Sequence, residues 1–270
     1  MINYHYSKDD IIDSFNQLNI KKNDTLYITG NLANFGNIQI KHIKDLTSIF
    51  FDIIKKKIGP GGTIVVPTHS FYLVKTKATF DPLKTFSETG SFSNYILGLK
   101  NSIRQKHPYS SSTAIGLKSN FICKNNTQHV YGPDSPFKKM INLNTKFISL
   151  GMPVNKNCSQ VHQAEHDMNV PYRYTKEFDH RIKINNKVYK KKFYLFVLYK
   201  EYLNLKYKDN NKKFLKNFLK KNKIKEARLG KNYIYCYSLK DFYNSNIELL
   251  KKDIFSWMKI RPKITKFFTK

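Results

Sequence analysis

The order of helical and strand patterns between residues 7 and 67 constrains the fold of this chain more than any other feature. Two stretches with apolar residues at helical spacing alternate there with two short apolar runs, at 7–19, 24–29, 41–57 and 63–66. Gly59-Pro60-Gly61-Gly62 separates the second helix from the second strand, because glycine and proline interrupt both structures. An order of helix, strand, helix and strand predicts parallel strands with helices between them, as in an α/β sheet.

Polar residues follow both predicted strands. Thr29-Gly30-Asn31 ends the first strand, and Thr68-His69-Ser70 follows Pro67, where the second strand is expected to stop. Ligands of open α/β sheets bind beyond the carboxyl ends of the strands. His69 is therefore a candidate for substrate binding.

The rest of the chain continues this mixture of helices and strands. Before residue 178 the sequence predicts a helix at 91–100 and strands at 112–116 and 146–150. After it the predicted elements are a hairpin around Asn185-Asn186, a strand at 193–198, a basic helix at 214–219, a strand at 233–237 and a helix at 239–260. We predict one domain over 1–270: an α/β fold with its core at about 7–178 and a basic α+β C-terminal elaboration at about 179–270.

The chain is strongly basic, with 48 Lys and Arg against 19 Asp and Glu and a formal net charge of +29. A positive field attracts anionic partners and slows the approach of cations. Lysine greatly outnumbers arginine, so a general drift in composition toward Lys explains much of this charge equally well.

Features of the chain also bear on its compartment. The N-terminal residues lack the basic and apolar blocks of a signal peptide, and no apolar run approaches the roughly 18 residues of a membrane span. Three scattered cysteines, Cys123, Cys158 and Cys236, are too few for a disulfide framework. A cytoplasmic protein without a membrane span is expected, and the sequence is compatible with an oligomer.

Titratable side chains are densest between residues 157 and 167. His162, Glu165 and His166 can share one face of a helix, since residues three and four apart are neighbours there. They match the H-x-x-E-H pattern, in which two His bind zinc and Glu activates water. The pattern fixes only three residues, and no later Glu lies in the context of a third ligand. A zinc metallopeptidase-like site is one hypothesis, and a polar helix end above a core is the simpler one.

Six short sequence blocks occur in a fixed order between about residues 20 and 178. They are Asp24–Leu26 with Asn31–Gly36, Gly59–Thr68, Phe80-Asp81-Pro82 with Ser87–Gly90, Arg104 with His107-Pro108 and Ser111, His129 with Gly132 and Ser135-Pro136, and His162 with Glu165 and Pro171-Tyr172-Arg173. In this order the blocks resemble those of the aminoglycoside 3-N-acetyltransferase family. The chain is similar enough to be identified as a divergent member of that family. This resemblance implies a mixed α/β sheet, with parallel and antiparallel strands, flanked by helices.

The resemblance implies a coenzyme A-dependent N-acyltransferase that moves an acetyl group from acetyl-CoA to a substrate amine without a metal. Neutral His, with an ordinary pKa of about 6.5, suits removal of the amine's proton, and a carboxylate can orient its ring. Glu165 is the candidate carboxylate, with His129 or His162 as its partner. Asp167 is a candidate for binding the substrate amine, and a simple surface carboxylate is an equal alternative.

For acetyl-CoA, the resemblance implies contacts from the loop after the first strand and from the central block. The residues concerned are Asn31, Leu32, Ala33, Arg104, His107 and Ser111. Loop amides bind phosphate oxygens, and Arg can pair with them. Asn31 departs from the family pattern, in which a small hydroxyl residue is common. As an alternative to direct transfer, Cys158 could carry the acyl group, because this thiol lies four residues before His162.

The acceptor is predicted from charge. Aminoglycosides are polycations, whereas the positive field of this chain favours an anionic acceptor. We therefore predict an amino sugar or nucleotide-linked amino sugar, acetylated during surface polysaccharide biosynthesis. Acetylation of aminoglycoside antibiotics, with a role in resistance, is the first alternative. A non-enzymatic nucleic-acid-binding protein is another, since aromatic residues interleave with Lys over 189–207, but no nucleic-acid motif accompanies them.

Overall fold

Two sheets and eight α-helices make up the part of the chain that the computed structural model describes, residues 3–76, 78–205, 212–221, 224–259 and 261. The strands are β1 (Thr25–Gly30), β2 (Thr63–His69), β3 (Ile103–Arg104), β4 (Ser110–Gly116), β5 (Lys146–Leu150), β6 (Arg173–Ile184), β7 (Lys187–Leu198), β8 (Lys225–Leu229) and β9 (Asn232–Ser238). The helices are α1 (Lys8–Gln17), α2 (Leu46–Ile58), α3 (Ser91–Gly98), α4 (Ser119–Cys123), α5 (Pro136–Asn142), α6 (Val161–Asp167), α7 (Lys212–Lys221) and α8 (Leu239–Lys252).

The main sheet has seven strands in the order β3-β4-β2-β1-β5-β9-β8. Its centre is parallel, because β1 lies parallel to both β2 and β5. The outer pairs, β2 with β4, β4 with β3, β5 with β9 and β9 with β8, are antiparallel. This arrangement confirms the predicted mixed α/β sheet flanked by helices.

Alternating side chains of the central strands bury two cores, one on each face of the sheet. On β1, Leu26 and Ile28 point into the core that α1, α2 and α3 cover, and Tyr27 points into the opposite core. The opposite core also receives residues of α4 to α8. This alternation follows from the two-residue period of a strand. The first helix begins at the predicted place, where Ser7 and Asp10 form a capping box.

Strand β2 runs further than predicted. It continues through Pro67 to His69 and stays paired with β4 over its whole length. β1 pairs with β2 only over Thr63–Val65, so Pro67 lies beyond that ladder. The missing N–H of proline therefore disrupts no ladder on that side, and the predicted stop at Pro67 is wrong.

The second sheet is a long hairpin. β6 and β7 pair residue for residue from Arg173 with Leu198 to Ile184 with Lys187. The turn is the predicted one, because Asn185 and Asn186 both have positive φ, at 49° and 63°, as such a turn requires. The strand predicted at 193–198 is the end of β7, and a boundary near residue 178 falls inside β6.

The C-terminal third completes the main sheet. β9 was predicted and β8 was not, and β9 pairs with β5 at the edge of the parallel centre. α8 ends at Lys252, before the predicted end at residue 260, which lies outside the described residues. Among the helices that are described, none is both long and apolar enough to cross a membrane.

Candidate active site

Helix α6, the first α-helix after β5, carries His162 and Glu165, two of the three predicted catalytic residues. Gln163, which is fully buried, fixes this helix to the turn before α5. Its Oε1 accepts a hydrogen bond from Ser135 Oγ at 2.9 Å and lies 3.3 Å from the Gly132 amide. The sequence blocks around Ser135 and His162 are therefore neighbours in space. Gln163 itself was missed, because a glutamine between two titratable residues gives no signal of its own.

The centre of the site is a hydrogen-bonded pair of His162 and Glu165. The distance from His162 Nδ1 to Glu165 Oε2 is 2.5 Å. A carboxylate can only accept, so Nδ1 carries the proton and Nε2 keeps a free lone pair. Glu165 is 1% exposed, whereas the His162 side chain remains 28% exposed. The ring thus meets both the protein interior and a cavity.

Two further residues hold the Glu165 carboxylate. Tyr172 Oη donates to Oε1 at 2.9 Å, and Arg173 Nε lies 2.9 Å from Oε2. Each carboxylate oxygen therefore has a partner at the start of β6: Tyr172 lies just before this strand, and Arg173 is its first residue. A buried carboxylate needs such partners to stay ionised.

Charge and burial set the protonation states of the pair. Burial raises the pKa of Glu165, but His162, Arg173 and Tyr172 together outweigh it and leave the pKa below its ordinary value. Burial and the Arg173 cation lower the pKa of His162 below 6.5, although Glu165 acts in the opposite direction. The pair is therefore a carboxylate and a neutral imidazole at neutral pH, which is the state a general base requires.

The His162 ring faces a cavity of about 350 Å³. Its charged lining residues are Lys156, Arg173 and the buried Glu165, and its apolar wall comes from Tyr172, Leu198, Trp257 and Met258. Cys158 also lines it, but burial raises the pKa of this thiol to about 12. A thiol with that pKa is protonated, so the geometry does not favour Cys158 as an acyl carrier.

A second cavity, of about 390 Å³, lies at the carboxyl ends of β1 and β5. Asn31 and Leu32 line it, together with the N-terminus of α3 at Gly90 and Ser91. Asn157 lines this cavity too, while its neighbours in the chain, Lys156 and Cys158, line the one beside His162. Residues 156–158 therefore form a wall shared by the two cavities. Ala33 is exposed nearby, and its amide is bonded to Asn31 Oδ1 at 3.1 Å.

The structure places the other predicted coenzyme A ligands in the interior. Arg104 is buried and donates to Ser111 Oγ, the carbonyl oxygens of Thr68 and Thr85, and Ser70 Oγ. These bonds satisfy most of the guanidinium, so a phosphate contact would require breaking them. Ser111 is fully buried as well, and its hydroxyl donates to the Thr68 carbonyl at 2.7 Å. This geometry favours a structural role for Arg104 and Ser111, and their predicted contacts with coenzyme A stay predictions.

His107 is also internal. Its Nδ1 accepts from the amides of Tyr109 and Ser110, and burial lowers its pKa to about 3. A buried neutral ring that organises its own turn favours a structural role for His107, and its contact with coenzyme A stays a prediction. His69 is half-buried, its Nδ1 lies 3.3 Å from Ser110 Oγ, and burial lowers its pKa to about 4. Its substrate contact stays a prediction.

His129 is not part of this pair and lies beside the hairpin, where its backbone forms a bridge with Tyr194 of β7. Its ring stacks on Tyr194 with centroids 4.2 Å apart, and Glu165 contacts His162 instead. Asp167 is held by Lys138 at 2.8 Å and by Tyr243 Oη at 2.6 Å. An incoming amine would have to displace Lys138, so the geometry favours a role for Asp167 in tying α6 to α5 and α8.

The arrangement does not support the zinc hypothesis. Within the described part of the chain, no group of three or more His, Cys, Asp or Glu is placed to hold a metal ion. His166 Nδ1 lies 3.4 Å from Asp167, and the Glu165 carboxylate is surrounded by His162, Tyr172 and Arg173. Of the three residues in the H-x-x-E-H match, only His162 and Glu165 are therefore hydrogen-bonded to each other.

A buried carboxylate behind a neutral imidazole, on a mixed α/β sheet, is an arrangement that can take a proton from a bound nucleophile. The sequence model of the aminoglycoside 3-N-acetyltransferase family matches residues 35–251, so the chain belongs to that family. It is an acyltransferase that moves an acetyl group from acetyl-CoA to an amine. The family inferred from the sequence blocks is confirmed.

Solved structures share the fold at low sequence identity. The aminoglycoside acetyltransferase AAC(3)-Xa is 15% identical with a TM-score of 0.76, over 91% of this chain and 92% of that one. The YokD protein from Bacillus subtilis is 16% identical with a TM-score of 0.76, over 94% and 96%. AAC-IIIb in a binary complex with CoASH is 15% identical with a TM-score of 0.75, over 95% and 99%. Comparison with curated protein sequences gives no significant match.

Proposed function

We propose that this enzyme acetylates an amine of an aminoglycoside-type acceptor, with His162 as general base and Glu165 as the carboxylate that orients it. The observation that carries this proposal is the 2.5 Å pair of His162 and Glu165, with the ring open to one cavity and that cavity separated from a second by residues 156–158. One cavity can hold the acceptor beside the base while the other holds coenzyme A.

The reaction needs one proton to pass from the amine to His162 and then from His162 to the departing thiolate. His162 Nε2 takes a proton from the amine as its nitrogen bonds to the acetyl carbon. The carbon–sulfur bond then breaks, and His162 gives the proton to the departing thiolate, so that the products are the amide and free coenzyme A. Glu165 stabilises the transient imidazolium and keeps Nε2 directed at the acceptor, because it holds Nδ1.

The second cavity suits the phosphate-bearing part of coenzyme A. It is bordered by Asn31 and by the start of α3, where no side chain caps the free amides after Gly90. Helix N-terminal amides favour phosphate oxygens. In this proposal Asn31 replaces the small hydroxyl residue common in the family, and Leu32 packs beneath the ligand.

Family membership supports an aminoglycoside acceptor. AAC-VIa, which shares the fold, has a structure bound to sisomicin, and AAC(3)-IVa has one in complex with a gentamicin. For this chain an aminoglycoside is the acceptor class with the most support.

An anionic amino sugar, such as a nucleotide-linked one used in surface polysaccharide biosynthesis, is a second candidate. Lys156 and Arg173 line the cavity beside His162, and its one carboxylate, Glu165, is engaged. Asp167 is paired with Lys138. A polycation would therefore meet like charge near the base, whereas a phosphate would meet opposite charge.

The test is release of coenzyme A thiol from acetyl-CoA with two acceptor panels, aminoglycosides and nucleotide-linked amino sugars. We expect turnover with an aminoglycoside and its loss in His162→Gln. His42→Gln changes an exposed histidine and serves as the matched control. Turnover only with the nucleotide-linked sugars would select the second candidate. Full turnover in His162→Gln would exclude His162 as the base.

A further inference from the structure

Arg173 occupies an unusual place between the catalytic pair and the hairpin. It is the first residue of β6, and its side chain is 17% exposed. Its Nε lies 2.9 Å from Glu165 Oε2, and its guanidinium carbon lies 5.7 Å from the centre of the Phe196 ring on β7. The cation is thus held between the carboxylate and an aromatic face.

Arg173 and His162 share one oxygen atom. Glu165 Oε2 is 2.5 Å from His162 Nδ1 and 2.9 Å from Arg173 Nε, while Oε1 is taken by Tyr172. Arginine stays protonated at all relevant pH values, so it supplies a permanent positive charge to this carboxylate. Without it, His162 would be the one basic group in contact with a buried anion.

We propose that Arg173 is a positioning residue that balances the charge of Glu165 and so leaves His162 neutral and ready to accept a proton in the resting enzyme. The inference rests on His162 being the base of the proposed function. A buried carboxylate with no other cation would draw a proton onto the imidazole, and a protonated imidazole cannot take a second one from the amine.

The other groups around His162 do not replace this effect. Those that face the ring or its cavity are Glu165, Arg173, Lys156, Cys158, Tyr131 and Tyr172. The thiol and both phenols stay neutral, since burial raises their pKa values. Lys156 acts in the same direction as Arg173, but it is exposed, so solvent screens its charge. Glu165 is the one group of this set that favours the imidazolium.

The test compares Arg173→Met with wild type. Methionine keeps the packing over Phe196 and removes the charge. The pKa of His162 is read from its ring proton by NMR, with His162→Gln to assign the signal. We expect that pKa to rise by about one unit in Arg173→Met, and the acid limb of the kcat/KM profile to move to higher pH by the same amount. Arg173→Lys, which keeps the charge, should hold both values near wild type.

Arg181→Met is the matched control, because it removes one positive charge from the same strand. Arg181 lies eight residues along β6, roughly 26 Å away at about 3.3 Å per residue. An unchanged His162 pKa in folded Arg173→Met, or an equal rise in Arg181→Met, would overturn the inference. If Arg173→Met does not fold, Arg173→Gln takes its place under the same criteria.

The two proposals fail in different ways. If the His162 pKa rises in Arg173→Met and the acid limb stays where it is, His162 is not the base, and the role of Arg173 in the reaction is overturned with it. If His162→Gln abolishes turnover and the pKa of His162 is the same in Arg173→Met as in wild type, the proposed function stands and the inference about Arg173 is overturned.

Discussion

Replacing Glu165 with glutamine removes one negative charge and almost no volume. The carboxylate is 1% exposed, and its Oε2 contacts the His162 ring, which becomes positive in the proposed reaction. Two unit charges about 4 Å apart interact by about 4 kcal/mol at an effective dielectric constant of about 20. Losing this stabilisation of the imidazolium corresponds to roughly a 10³-fold fall in turnover.

The same substitution leaves Arg173 without its counterion, and breaking a buried pair in this way costs about 3 kcal/mol of folding free energy. Thiol release therefore has to be measured below the melting temperature, with unfolding followed separately. Glu177→Gln is the control, since it changes an exposed carboxylate on β6. Turnover in folded Glu165→Gln equal to that of wild type would refute the role of Glu165.

Four further predictions concern the protonation of His162, the protonation of Asp167, the packing of Arg104, and metal. Because the pKa of His162 lies below 6.5 and the base must be neutral, kcat/KM should fall only as pH drops below that value; an acid limb above it contradicts this. Folding lowers the pKa of Asp167 below 3.8, so its carboxylate stabilises the fold above that pH and the effect is lost as pH falls; Asp167→Asn should flatten the dependence of Tm on pH over the acid range. Arg104→Met should cost about 3 kcal/mol in urea unfolding, and an unchanged stability with lost coenzyme A affinity would support its predicted phosphate role. Dialysis against a chelator should leave turnover unchanged, and restoration by zinc would revive the metal hypothesis.

The central part of the fold followed from local patterns. The capping box of Ser7 and Asp10, the apolar strands and the asparagine turn at Asn185-Asn186 are each encoded within a few residues. Two features of the fold are not encoded locally. The continuation of β2 through Pro67 depends on where the neighbouring strand stops, and β8 has too few apolar residues to be recognised without β9 beside it.

The candidate site was predictable to a similar extent. His162 and Glu165 lie three apart on one helix, so their pairing is a local matter. The coenzyme A contacts predicted for Arg104 and His107 depend on the direction in which each side chain points, and a motif gives only residue types. Both side chains turn inward, toward partners on β2 and in the turn after His107.

The pairing of β5 with β9 has a consequence for synthesis of the enzyme. Leu150 at the end of β5 pairs with Ile234, Gln160 beside α6 donates a hydrogen bond to Tyr237, and Trp257 and Met258 wall the cavity at His162. A nascent chain that has emerged only as far as the hairpin therefore carries His162 and Glu165, the two residues proposed as catalytic, without the strand that supports them. Activity should appear only after Trp257 and Met258 have left the ribosome, because long-range contacts form only after the second partner exists.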